Sequence, residues 1–410
     1  MAAPPQPFVR STVRPEIQAL RALAVGAVVL HHGWPAVAPA GYMGVDVFFV
    51  VSGFLITGLL LREAEARGRI SLSSFYVRRA RRILPAAVAV LAVVAALTLA
   101  LVPQREWRAW FREIVASALY YENWQLAIDS QIPARADLES TPVQHYWSLS
   151  VEEQFYLFWP LLLIVALWIA ARSGVGSRRV LLLVLGTVTA ASFVHCVVLT
   201  ALDSDLAYFS TLTRTWEFGV GGLLALLAAE PMRGRHRLRS AVSLAGLVLI
   251  AVPIVVFRSP ELFPGVIVLV PVTGALAVIW AGMPDAAWSP ARLIALGPVQ
   301  WMGDVSYSLY LWHWPIFMFT PYLTGMPSPP WLMVLLVVLA FLVAGLSKRL
   351  IEDPFRTPAP GRRSHPALVL GGIAAAIALV VSAGVVAPSV AAEPSVACDR
   401  GDDVGRGNRD

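Results

Sequence analysis

The sequence predicts an all-α polytopic membrane protein, and three observations carry that reading. Apolar residues gather in runs of about 20, the length an α-helix needs to cross a hydrocarbon core about 30 Å thick. Only 14% of the 410 residues are charged while 57% are hydrophobic, against roughly a quarter charged in a soluble domain. Arginines concentrate in alternate loops, as the positive-inside rule requires of a chain threaded back and forth.

Hydropathy places eleven spans, near residues 16–34, 43–61, 83–102, 155–171, 180–202, 214–229, 240–257, 263–281, 304–324, 331–347 and 366–388. With residues 1–14 in the cytoplasm, the inner loops hold Arg62 through Arg82, then Arg172, Arg178 and Arg179, then Arg233 to Arg239, then Lys348 to Arg363. The outer loops at 35–42, 203–213 and 325–330 hold no Arg or Lys. An odd number of spans puts the polar tail, 389–410, outside a plasma (inner) membrane. No cleavable signal peptide is expected at the start, MAAPPQPFVR.

The longest outer loop, 103–154, carries Trp107, Trp110, Phe111 and Ile114 at helical spacing opposite Arg105, Arg108 and Arg112. That pattern predicts a helix lying in the interface, either a lipid anchor or a lid over substrate. The net charge of +6 does not imply nucleic acid, because its arginines fall between apolar segments. Cys196 and Cys398, in a span and in the tail, give no disulfide framework. No metal-ligand spacing, phosphate-binding glycine loop or G-x-S-x-G elbow occurs, so any chemistry must come from residues that helix packing brings together.

Ionisable residues inside spans cost a few kcal/mol each and are functional candidates by default. Arg21 and His32 lie eleven positions apart on the first span, on one face and roughly 16 Å apart along the axis, whereas His31 points about 100° away. They could line a polar path, or be a snorkelling Arg and an interfacial His. Asp46 opens the second span, where it favours the positive end of its helix, and Ser52 with Gly53 reads as a small-residue seam. Arg78, Arg79, Arg81 and Arg82 serve either topology or as a clamp for the phosphates of a nucleotide-bearing donor. Ser150 and Glu153 have capping-box spacing, which leaves Glu152, on the outer side, free to act with nearby His145. Arg214 and Glu217 predict a local ion pair. Tyr310 and His313 precede Pro315, a predicted kink, and His195 reads as a packed histidine.

The pair Arg21 and His32, GVDVFFVVSGFLI from Gly44, FYVRRARRILPA from Phe75, WSLSVEEQFY from Trp147, TRTWEFGVGGLLA from Thr213, SYSLYLWHWP from Ser306 and IEDPFR from Ile351 stand in one order. In this the chain resembles the acyltransferase 3 family of bacterial membrane O-acyltransferases, over roughly 14–356. The resemblance implies a ten-helix membrane domain, 15–356, that moves an acyl group, commonly acetyl from acetyl-CoA, to a hydroxyl of a cell-surface glycan or secreted molecule. Acyl-CoA would then be the donor substrate, with no tightly bound cofactor and no metal. The first-helix histidine and its arginine are the residues the family relies on, and they map to His32 and Arg21. One subgroup adds an eleventh helix, matched here by the linker and helix at 357–388, leading to an outer SGNH-type domain that handles the acceptor. Here 389–410 would be the start of such a domain, or the domain is supplied elsewhere. A transporter using the same polar path and a non-catalytic membrane scaffold are the competing readings.

Overall fold

The computed structural model describes residues 14–132, 140–227, 235–326, 329–356 and 366–390. The N-terminal stretch 1–13, Arg233, Arg362, Arg363, Cys398 and the tail from 391 lie outside the described residues. The described chain is helical, without strands. Each of the eleven predicted spans coincides with a helix, in order: α1 (Pro15–Gly33), α2 (Gly44–Arg67), α3 (Leu72–Leu101), then α4 (Gln104–Ala118) and α5 (Glu122–Ser130) between spans. There follow α6 (Tyr146–Ser173), α7 (Ser177–Leu202), short α8 (Ser204–Phe209), α9 (Thr211–Leu227), α10 (His236–Val256) and α11 (Leu269–Ala281). The last are α12 (Gly297–Thr324), α13 (Pro330–Ser347) and α14 (Pro366–Val390). Among the described residues seven helices are long and apolar enough to cross a membrane. The protein is a multi-pass membrane protein. Its outer surface is the apolar one that lipid requires, with Leu183 and Leu342 63% and 66% exposed.

Two helices begin well before their hydropathy does. The buried stripe of α3 runs Phe75, Ile83, Ala86, Ala87, Val90, Leu91 and Val94, and Arg79 and Arg82 fall on the same 3–4 residue spacing. The arginine cluster therefore sits in the opening turns of a helix rather than in a loop. Similarly α6 starts at Tyr146 with His145 as its N-cap residue. Ser150 is then already in the second turn, where there are no free backbone N–H groups for it to cap. The capping box expected of Ser150 and Glu153 does not form, and the Ser150 hydroxyl has no hydrogen-bond partner among the described residues.

Two close backbone crossings hold the middle of the bundle. A Cβ on Gly53 would lie 2.0 Å from the Phe218 carbonyl oxygen, so the predicted small-residue seam joins α2 to α9. A Cβ on Gly303 would lie 2.1 Å from the Gln18 carbonyl oxygen, which locks α1 onto α12. Those two helices run parallel, since Gln18 meets Gly303 and His32 meets His313. The apolar face of α4 is covered by protein: Trp110 stacks edge-on to Phe319 and Tyr322, and Gly384 of α14 sits against Phe111 and Val115.

The Gly303→Ala substitution is expected to cost at least the 1–3 kcal/mol typical of overpacking, because the obstacle is backbone that cannot rotate away. Gly297, with nothing within 4 Å of its Cβ position, is the control. Equal melting temperatures for the two alanine variants in detergent would refute the crossing. A second expectation concerns Glu122, buried beside Glu113 in the segment between α3 and α6. Burial pushes the Glu122 carboxyl well above the ordinary carboxylate range, and the neighbouring Glu113 charge adds to it. A folded state that holds a proton more tightly than the unfolded chain loses stability as pH rises above the ordinary carboxyl value of about 4.3. Glu122→Gln should therefore flatten the decline in melting temperature between about pH 5 and about pH 8. An unchanged slope would show that Glu122 does not carry it.

Candidate active site

One cavity of about 970 Å³ opens between α1, α2, α3, α6 and α12, at the upper end of small-molecule sites, roughly 300–1,000 Å³. Eight arginines line it: Arg14, Arg21, Arg62, Arg78, Arg79, Arg81, Arg82 and Arg356. Only three carboxylates, Glu152, Glu153 and Asp304, face them there. The Arg79 guanidinium lies 3.7 Å from the centre of the Tyr156 ring, and the Tyr156 and Ser52 hydroxyls both donate to Glu152. Arg21 donates to the Gln18 side chain at 2.9 Å and shares the cavity with Asp304 and Glu152. Arg78 is partly taken up by Glu63 at 3.2 Å.

Ser148 and Tyr310 line the same cavity, joined by hydroxyls 2.6 Å apart. Beyond them lies a cluster of histidines. Tyr310 donates to the His145 carbonyl at 2.9 Å, and its ring centre is 5.6 Å from that of His313. His32 Nδ1 and His313 Nε2 are 2.9 Å apart, with the rings nearly parallel. Trp314 packs on the His32 ring at 4.4 Å and is itself tied to the Thr141 carbonyl. His145 Nε2 donates to the Leu311 carbonyl at 3.2 Å. That acceptor is available because Pro315, four residues on and inside α12, has no N–H for it. The helix continues through Pro315, and what the proline contributes is a free carbonyl.

A third polar group lies at the first turn of α2. Arg214 Nη1 bonds Asp46 at 3.0 Å and Glu217 at 3.1 Å, with all three side chains essentially inaccessible to solvent. The Tyr208 carbonyl takes its Nε–H, and the rings of Phe263, Tyr208 and Trp147 surround the guanidinium at 4.8, 5.2 and 5.7 Å. The predicted Arg214–Glu217 pair is present and is joined by Asp46, which does more than favour a helix end.

The acyltransferase domain family, acyltransferase 3, matches residues 14–349. The chain belongs to that family. It is 31% identical to the peptidoglycan O-acetyltransferase OatA of Listeria monocytogenes over 83% of this chain and 56% of that one. It is 32% identical to YrhL of Bacillus subtilis, whose name assigns peptidoglycan O-acetyl transfer provisionally, over 84% of this chain and 55% of that one. The chain thus spans about half the length of the curated relatives it matches. No solved structure matches.

In this acyltransferase 3 chain the residues named from sequence fall into three places. Arg21, Ser52, Arg78, Arg79, Arg81, Arg82, Glu152 and Glu153 line the cavity, which Tyr310 closes. His32, His145 and His313 form the cluster, and Asp46, Arg214 and Glu217 stand apart. Three expectations are corrected. Glu152 does not serve His145, because seven residues of helix put them roughly 10 Å apart along the axis, and Glu152 spends its bonds on Ser52 and Tyr156. It shares the arginine cavity rather than lying at the opposite end. Nor is the path from Arg21 to His32 open, since the cavity stops at Ser148 and Tyr310 and His32 does not line it. His195 is exposed on the outer face of α7 rather than packed.

Sequence reasoning passed over Tyr156, Asp304, Trp314 and Glu352. A usable signal was present for two of them. Tyr156 is one turn from Glu152, and Glu352 with Arg356 belongs to the IEDPFR segment, where Ser308 donates to Glu352 and Arg356 lines the cavity.

Two carboxylates on one buried guanidinium make a lopsided triad. Arg214→Leu strands both carboxylates, so it should cost more than the 3–5 kcal/mol of breaking one buried pair. Asp46→Asn leaves a one-to-one pair and should cost less than half as much. Thermal unfolding of the two variants in the same detergent checks the order, and a milder Arg214→Leu would contradict the charge assignment.

Proposed function

We propose that the chain is the membrane part of an O-acyltransferase, with domain bounds 15–356 for the catalytic bundle and 357–388 for the linker and added helix. In this reading acyl-CoA, acetyl-CoA first among them, enters the arginine-lined cavity from the cytoplasm. The acyl group passes to a hydroxyl of a cell-surface glycan or secreted molecule on the far side. The N-terminus is then cytoplasmic and the C-terminus outside. The Listeria relative's name makes peptidoglycan the first acceptor to test. An outer acceptor-handling domain, either continuing from 389–410 or supplied by another chain, would present the hydroxyl.

The observation that carries this is the adjacency of two unlike sites. Eight arginines against three carboxylates make a cavity selective for a multiply charged anion. Next to its closed end sit imidazoles, the groups best suited to take a proton or acyl group near neutral pH. Arg79 and Arg82, on the inward stripe of α3, would grip donor phosphates, and His32, with Arg21 on the same helix face, would act on the acyl group.

The test uses acyl-CoA binding by the purified chain in vesicles, together with acyl transfer by the full-length protein or by this chain supplied with an acceptor domain, scored by mass spectrometry of the acceptor. Arg79→Ala and Arg82→Ala should each weaken donor binding by roughly 1.5–3 kcal/mol, the worth of a charged hydrogen bond. His32→Ala should abolish transfer while donor binding survives, and His31→Ala should keep most of it. An active His32→Ala protein would overturn the assignment. A transporter would move substrate with the thioester uncleaved.

A further inference from the structure

The histidine cluster fixes more than a location. His313 Nδ1 lies 3.0 Å from the Leu309 carbonyl oxygen and 2.7 Å from that of Tyr310. Carbonyl oxygens only accept, so His313 Nδ1 carries a hydrogen. His145 and His313 are buried, and among the described residues no carboxylate hydrogen-bonds any of the four imidazoles, His31, His32, His145 and His313. An imidazolium there would be a buried charge with no counter-ion, which is costly enough to favour the neutral ring. A neutral His313 with hydrogen on Nδ1 has a lone pair on Nε2. Its Nε2 sits 2.9 Å from His32 Nδ1, and for a bond to exist His32 Nδ1 must donate. His32 then has its lone pair on Nε2.

We infer that His313 is the positioning residue that fixes His32 in the Nδ1–H tautomer and thereby makes His32 Nε2 the reacting atom. The inference deepens the reading of His32 as the acyl-transfer histidine and rests on it. Two chemistries are compatible with it. As a base, Nε2 takes the acceptor's O–H proton while that oxygen attacks the thioester carbonyl, the C–S bond breaks and the thiolate leaves with the electron pair. As a nucleophile, Nε2 bonds the acyl carbon and the same C–S bond breaks. Either way His32 becomes a cation whose Nδ1–H already points at the His313 lone pair. The ring is held by the Trp314 face against rotation, so the nitrogen is set in place as well as the proton.

His313 and its neighbour His145 are both held by α12 itself. The i−4 and i−3 carbonyls hold its Nδ1–H, and the carbonyl freed by Pro315 holds His145, whose ring centre is 5.7 Å away. His31, one residue from His32, is excluded from this arrangement, because its Nδ1 is bound to the Ala38 carbonyl at 2.9 Å and its ring meets Tyr42 edge-on.

The experiment is ¹⁵N NMR of the full chain in lipid with labelled histidine. The chain has seven histidines, and the His32 signals are identified by their loss in His32→Gln. The wild type should show His32 protonated on Nδ1 and bare on Nε2. His313→Leu, which removes the acceptor, should shift His32 toward the Nε2–H form and lower kcat roughly 100-fold or more, the scale of a mis-set tautomer. Donor KM should change little. His313→Gln, whose side-chain oxygen can accept the same hydrogen, should restore the Nδ1–H signal and bring kcat to within about tenfold of wild type. A wild-type His32 protonated on Nε2, or an unchanged Nδ1–H signal in folded His313→Leu, would overturn the inference even if His313→Leu were inactive. Failure of the enzyme reading registers separately, as transfer that survives His32→Ala.

Discussion

The contact between the backbones of α1 and α12 is the constraint on which the site depends. Helices normally approach to about 8–10 Å, a distance set by the side chains between them. At Gly303 there is no side chain, and the Gln18 carbonyl occupies the place a Cβ would take. Because α1 and α12 run parallel from that point, two juxtapositions follow from one crossing. Arg21 and Asp304 come to line one cavity at one end, and His32 meets His313 at the other. A bilayer makes such a crossing useful. With no water to satisfy stray polar groups, residues on these faces must find partners inside the protein, and a fixed register lets each find one.

The bundle stabilises its interior polar groups in three physically different ways. Around Arg214 it matches charge with charge and encloses the cation in aromatic rings, a solution that suits rigidity and leaves no open volume. In the cavity it leaves excess positive charge facing open space, which is stable only if water or an anion fills it. Around His313 it uses neutral imidazoles bonded to carbonyls and to one another, so that no formal charge is buried at rest. Only the second and third arrangements leave a group able to act on something else. Arg214, Asp46 and Glu217 join α2 to α9.

The all-helical, multi-pass class, the family and the identity of the polar residues were legible in the sequence, because hydropathy and motif order are one-dimensional signals. Helix starts were less so. Four arginines within five residues masked the first turns of α3, although the spacing from Phe75 through Arg79 and Arg82 to Ala86 already carried its inward stripe. The pairing of Glu152 was misjudged for a related reason. Proximity in sequence suggested His145, whereas in a helix the neighbour is one turn away, at Tyr156, and the other partner, Ser52, is on a different helix. Three-dimensional features left little trace. Nothing in the motif SYSLYLWHWP says that Pro315 frees a carbonyl for His145, or that Trp314 packs on His32.

The two parts of the site are separated by a single layer, and that separation constrains the reaction proposed for them. Phosphates held by Arg79 and Arg82, as proposed, would lie beside Tyr156, on whose ring the Arg79 guanidinium packs. His145 is eleven residues back along the same helix, roughly 16 Å away along its axis. A donor anchored by its phosphates therefore needs a long, slender arm to bring its acyl group to His32, and the arm must pass Tyr310 and Ser148. Those hydroxyls bond each other and the His145 carbonyl, so they are satisfied without a ligand. Opening the layer breaks hydrogen bonds that an arriving carbonyl or thioester could only partly replace. The same bonds lie between the arginine cavity and the imidazoles. In the proposed reaction the Tyr310 layer would therefore stand between donor and acceptor, and a donor would have to be long enough to displace it before the two could meet.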